Sequence, residues 1–143
     1  MNLAFQNLPI DDLRYNLRFL EKKRNLIMEG DFVKLVYSDE NTAINALFFV
    51  CPLKFKQPYE DDTSEKSTIW FNPYESTNHA TIQQLIKYEQ TLIEEYAAQM
   101  KCRKTPTFSL KNQLLSGNTR MYKLNRPSSS NEMQMLVKIS GIW

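Results

Sequence analysis

Residues 32–50 read FVKLVYSDENTAINALFFV, and the reading of this stretch decides the fold. Two runs rich in aromatic and β-branched residues, 32–38 and 43–50, flank Ser38-Asp39-Glu40-Asn41. Short polar side chains of this kind hydrogen-bond to nearby backbone and favour turns. The pattern predicts an antiparallel hairpin. Pro52 has no amide hydrogen to give to a ladder, so it is expected to end the second strand.

Upstream, residues 13–19 read LRYNLRF. Leu13, Tyr15, Leu17 and Phe19 alternate with Arg14, Asn16 and Arg18. A period of two predicts a half-buried strand with a basic outer face. A helix through Leu13, Leu17 and Leu20 competes. The strand is preferred, because no apolar period continues through Glu21-Lys22-Lys23-Arg24.

Downstream, residues 57–68 are polar, acidic and rich in turn formers, and predict a loop. Thr68-Ile69-Trp70-Phe71 reads as a short strand or as a loop anchored by Trp70. Residues 79–101 predict one long amphipathic helix, with Ile82, Leu85, Ile86, Leu92, Ile93, Tyr96, Ala97 and Met100 at helical spacing. Thr81 with Gln84 fits a capping box, and Asn78 is an alternative cap. Residues 108–116 fit a short helix before Gly117. Residues 119–124 and 133–139 read as the last two strands, joined by a loop at Pro127-Ser128-Ser129-Ser130-Asn131.

The expected class is therefore mainly β with one long helix, as a single domain over residues 1–143. The order strand, hairpin, loop, helix, two strands suits an OB-fold-like, five-stranded antiparallel Greek-key barrel. An α+β sandwich is the alternative.

The 143 residues carry a net charge of only +2, but the charge is unevenly placed. Residues 101–143 hold eight basic residues against the single acid Glu132, a net of +7. Residues 61–100 carry a net of −5, and residues 1–60 balance. A basic region interleaved with aromatic residues is the electrostatic footprint of a polyanion binder. Lys101, Arg103 and Lys104 also suit a structural role, since cations complement the C-terminal end of a helix.

Enzymatic chemistry is poorly represented. His79 is the only histidine, and no acid or nucleophile is spaced to serve it. Cys51 and Cys102 lack metal-ligand spacing and read as reduced thiols, with Cys51 in a buried strand; a disulfide between them is the alternative. Three glycines cannot build a phosphate cradle. The acidic pairs Asp11-Asp12, Asp61-Asp62 and Glu94-Glu95 do not resemble a two-metal nuclease set. The expectation is a non-catalytic protein with no cofactor and no metal. No apolar run approaches a membrane span, and the first residues are too acidic for a signal peptide, so the expected setting is intracellular.

Aromatic residues are abundant, with seven tyrosines and eight phenylalanines. Phe19, Phe32 and Phe48 are expected in the core. Arg120 and Tyr122 fall on one face of a predicted strand, an arrangement that can stack an unpaired base while neutralising phosphate.

Four segments resemble OB-fold, single-stranded-DNA-binding-like proteins of large DNA viruses of eukaryotes. They are Lys23-Arg24-Asn25-Leu26-Ile27-Met28-Glu29-Gly30-Asp31-Phe32, Lys34-Leu35-Val36-Tyr37-Ser38, Asn45-Ala46-Leu47-Phe48-Phe49 and Leu136-Val137-Lys138-Ile139-Ser140-Gly141-Ile142-Trp143. The four segments together hold 28 of the 143 residues. It implies single-stranded DNA binding in replication or recombination, at the host nucleus or a viral replication site.

Residues and resemblance lead to one expectation: sequence-tolerant binding of single-stranded nucleic acid through a basic sheet face. The expected contributors are Arg14, Arg18, Lys34, Arg120, Tyr122 and Lys138, flanked by Arg103, Lys104 and Lys111. The alternative is a homo-oligomeric adaptor, joined through the long helix and the hairpin, whose basic end meets an acidic partner. A small metal-dependent nuclease is a third, disfavoured reading.

Overall fold

A computed structural model describes residues 4–5, 7–24, 26–27, 29–55, 66–122 and 132–143. The chain enters through a two-residue strand, β1 (Ala4–Phe5), and then a short helix, α1 (Ile10–Asn16). Asp11 and Asp12 lie in the first turn of α1, where negative charge suits the helix dipole. Leu13 is fully buried, and its amide donates to the Pro9 carbonyl at 3.0 Å. The strand expected over residues 13–19 is thus confined to β2 (Leu17–Phe19). The helical start signals outweigh the alternation: Leu13 and Leu17 are buried four residues apart, whereas Tyr15 is exposed.

Next come β3 (Lys23–Arg24), β4 (Asp31–Ser38) and β5 (Ala43–Ile44). The expected turn forms, with Asp39 Oδ1 accepting from the amides of Asn41 (2.9 Å) and Thr42 (2.8 Å). The hairpin is shorter than expected. Only Ala43 and Ile44 pair with β4, opposite Ser38 and Tyr37. Ala46 and Leu47 are both buried, so the in–out alternation shifts phase there. The chain leaves the first sheet and becomes β6 (Leu47–Lys54) of another. Pro52 does not end this strand. The β1 register reaches only Phe48 and Phe49, so Pro52 lies beyond that partner, where a missing donor costs no β1 hydrogen bond. The alternation of β6 buries Leu47, Phe49, Cys51 and Leu53 and turns Phe48 to the other face. Phe48 is therefore half-buried, as are Phe19 and Phe32, in place of the full burial expected of all three.

Beyond β6, β7 (Lys66–Trp70) pairs antiparallel with β8 (Asn118–Tyr122). Residues 66–70 thus form a strand. Trp70 is 55% exposed, while Ile69 and Phe71 are buried. The remainder of the acidic loop, residues 57–65, lies outside the described residues, as does the loop at 127–131.

The long helix α2 (Ser76–Met100) begins a turn earlier than expected. Asn78 and Thr81 are therefore not caps. They lie inside the helix, buried, and bind the backbone of β6. The Asn78 side chain accepts from Lys54 N and donates to Lys54 O, both at 2.7 Å. Thr81 Oγ1 donates to the Pro52 carbonyl at 2.8 Å. Ile82, Leu85, Tyr88 and Leu92 are buried, and Ile86, Ile93 and Tyr96 are partly so. The helix ends on Lys101 at φ 51°, with the Cys102 amide donating to Ala97 O at 3.0 Å, a Schellman termination. A third helix, α3 (Ser109–Leu115), forms as expected. The last strands are β9 (Glu132–Ile139) and β10 (Gly141–Ile142).

The class is mixed α and β, with mostly antiparallel sheets. One sheet has the order β1-β6-β9, with β1 parallel to β6. The largest has the order β10-β4-β2, with β3 and β5 also on β4; β7 and β8 form a third. Among the described residues these sheets do not close into a barrel, and a further short helix, α1, joins the expected long helix α2 and short helix α3. The chain divides into two compact units. One comprises residues 1–50, 90–106 and 136–143; the other comprises 51–89 and 107–135.

Candidate nucleic-acid interface

In the first unit, β4 organises a two-faced sheet. Val33, Leu35 and Tyr37 are buried on its inner face. Phe19 of β2 meets Tyr96 of α2 edge-on on that side, with centroids 5.3 Å apart. Gln99 Nε2 donates to Leu17 O at 3.1 Å, fixing the end of α2 to β2. The outer face is the one not used for this packing, and it carries Phe32, Lys34, Val36 and Ser38.

Directly paired residues in antiparallel strands share a face. Arg18 lies opposite Val36, Lys23 opposite Phe32, and Gly141 opposite Lys34. The outer face therefore groups Arg18, Lys23 and Lys34, three cations from three strands. Gly141 permits the close approach of β10: a Cβ there would overlap the Val33 carbonyl and come within 2.9 Å of the Phe32 ring.

A groove of about 410 Å³ opens beside this face. The kink at Asn45 and Ala46 forms one wall, and Lys34, Lys138, Phe48 and Ser140 supply the functional groups. Lys138 Nζ lies 5.6 Å from the centroid of the Phe48 ring, a cation–π arrangement. Among the described residues no acid lines the groove. Among the described residues neither lysine has an ion pair. Two cations, an aromatic ring and the polar side chains of Asn45 and Ser140 suit an anionic ligand with flat, apolar parts.

The other sequence-predicted cations lie in different settings. Arg14 is engaged elsewhere, with its guanidinium 2.9 Å from Glu94 and 3.0 Å from Glu95. These contacts raise the Arg14 pKa, and the Arg14 hydrogen bond, followed by that of Gln90, lowers that of Glu94. Arg14 is thus a structural cation whose charge is already matched. Arg18 folds back to donate to Leu17 O (2.7 Å) and Tyr15 O (3.0 Å). Arg103 and Lys104 are exposed beyond α2.

Lys111 and Arg120 belong to the second unit, and both are exposed. The Lys111 amide, with that of Leu110, donates to the Glu89 carboxylate at 3.0 and 2.6 Å. Arg120 lies opposite Thr68 in the β7–β8 register, which puts it on the face of exposed Trp70, two residues on. The Tyr122 backbone pairs with Lys66, but its side chain lies outside the described residues.

No protein-family model matches this chain. No curated protein and no solved structure matches it either. The site is therefore read from its own geometry.

Sequence reasoning missed Lys23, Phe48 and Trp70 as surface groups of these faces. Lys23 was legible as part of a basic run, but its face depends on pairing with Phe32. Elsewhere, His79 is exposed on α2, and no group of three or more His, Cys, Asp or Glu among the described residues could hold a metal ion. Both cysteines are free, and burial pushes the Cys51 thiol up to about 11. No helix among the described residues is long and apolar enough to cross a membrane.

Proposed function

We propose that this chain is a non-catalytic, sequence-tolerant single-stranded nucleic-acid-binding protein, with DNA as its ligand, acting in replication or recombination. The observation that carries this reading is the groove lined by Lys34, Lys138 and Phe48, with no acid in its lining among the described residues. Lysines neutralise phosphates, and an aromatic ring offers a flat surface to any base, which is why such sites tolerate sequence. The outer sheet face extends the positive field through Arg18 and Lys23.

The segments that resemble viral single-stranded-DNA-binding proteins contribute Lys34, Phe48 and Lys138 and support the same reading. They would put the protein at a site of viral DNA replication. From the OB-fold expectation we retain the basic sheet face, which does not need a closed barrel.

The adaptor alternative relied on the apolar faces of the long helix and the hairpin. Ile82, Leu85, Tyr88 and Leu92, and Val33, Leu35 and Tyr37, are buried within the chain itself, which weighs against it.

Titration of a fluorescein-labelled oligodeoxynucleotide, followed by anisotropy at two salt concentrations, tests the proposal. Binding that weakens as salt rises supports it, because bound phosphates release counterions. Absence of binding at low salt by the folded protein overturns it. Capture of polyglutamate with equal affinity would favour the adaptor reading.

A further inference from the structure

The geometry points to Trp143 as a base-stacking residue of this interface; the inference rests on the nucleic-acid reading above. Trp143 directly follows β10, whose Gly141 and Ile142 lie opposite Lys34 and Val33. Side chains alternate across a strand, so the indole emerges on the side of Gly141, the face that carries Lys34, Phe32 and Lys23. It is 64% exposed, unusually open for the largest apolar side chain.

The indole is nevertheless held in place. Gly30, at φ +125°, leaves the space that a side chain would take: a Cβ there would stand 3.1 Å from Trp143 Nε1 and 3.4 Å from Cε2. The ring thus rests against the Gly30 backbone on the chain that leads into β4. Its exposed side lies on a face whose cations, Arg18, Lys23 and Lys34, match a phosphate backbone.

A supported, exposed indole beside cations suits an unpaired nucleobase. The base gains stacking area on a ring whose orientation is already restricted, while neighbouring phosphates meet the lysines. Lys34 belongs to both this face and the groove, so the strand that occupies the groove can continue onto Trp143. A double helix keeps its bases stacked on one another and cannot offer one to the indole, so the preference is for single strands.

Two readouts test the assignment. Replacing Trp70 by Phe leaves Trp143 as the only tryptophan, and a fluorescein-labelled oligothymidylate of about a dozen nucleotides serves as the probe, within the usual site sizes. Unlabelled oligothymidylate should quench Trp143 emission over the same concentration range in which anisotropy reports binding. Trp143→Ala should weaken binding by roughly 5- to 150-fold and leave the salt slope unchanged, because no phosphate contact is lost. Trp143→Phe, which keeps a ring, should recover part of that loss. Thermal melting of each variant confirms that the fold is retained. Oligonucleotide binding with unchanged Trp143 emission, or with Trp143→Ala binding as tightly as the parent, overturns the inference and leaves the proposed function standing. Absence of binding by the parent overturns the proposed function, and this inference with it.

Discussion

At the scale of single residues, polar side chains decide more than their exposure suggests. Asn78 is buried inside α2 and satisfies both backbone groups of Lys54, while also donating to Asn72 O at 3.1 Å. Asn78→Ala would leave the part-buried Lys54 amide and carbonyl without these partners, at a cost of up to about 1–3 kcal/mol each. Urea denaturation should show a clear loss of stability; an unchanged midpoint would mean that water replaces the side chain. Lys101 is a non-glycine residue at φ 51°, in the left-handed region. Lys101→Gly should raise stability by about 0.5–1 kcal/mol, read as a higher denaturation midpoint. Arg14 illustrates what sequence does not reveal about a cation. Its partners Glu94 and Glu95 lie some eighty residues away, so its spacing resembled that of a free basic face. The Glu94 pKa is lowered in the folded state, so the stabilisation from this pair is present above the usual carboxylate range. It is lost as pH falls through the folded-state value. Glu94→Gln should flatten the acid limb of a stability–pH profile; an identical limb would show that the pair contributes nothing measurable, as exposed pairs can.

At the scale of elements, legibility followed the length of the periodic signal. The 25-residue α2 repeats its apolar face over many turns and was evident. The seven-residue α1 has too few residues to separate a period of two from one near four, and LRYNLRF fits both. The β5–β6 kink was hidden because apolar residues flank it on both sides, Ala43-Ile44 before it and Ala46-Leu47 after. Its trace in sequence is the consecutive Ala46-Leu47 pair, which cannot both point inward in a regular strand. Glu89 is a further case, since a carboxylate on α2 caps the first turn of α3. Such a contact is invisible without tertiary structure, yet Glu89→Ala should cost about 0.5–2 kcal/mol, the range of a lost N-cap. Leu92, on the legible face of α2, is 2% exposed. Leu92→Ala should cost roughly 2–5 kcal/mol, read by urea or thermal unfolding; no change would place Leu92 outside the core.

At the scale of the whole molecule, the sequence indicated a chain of strands around one dominant helix and a basic surface without catalytic chemistry. The strand partners were not legible, because pairing depends on which surfaces meet after collapse. This is why Lys34 and Lys138 could be nominated separately, but only the fold unites them with Phe48 in one groove. The central claim is that this groove neutralises phosphates of a single strand. It is tested most directly by the salt dependence of oligonucleotide affinity for the parent and for the double variant Lys34→Ala/Lys138→Ala. Each phosphate contact on a single strand contributes a log–log slope of about −0.7. Loss of both lysines should therefore weaken binding at low salt and flatten the slope by about 1.4. A double variant that stays folded and keeps the parent's affinity and slope would contradict the account.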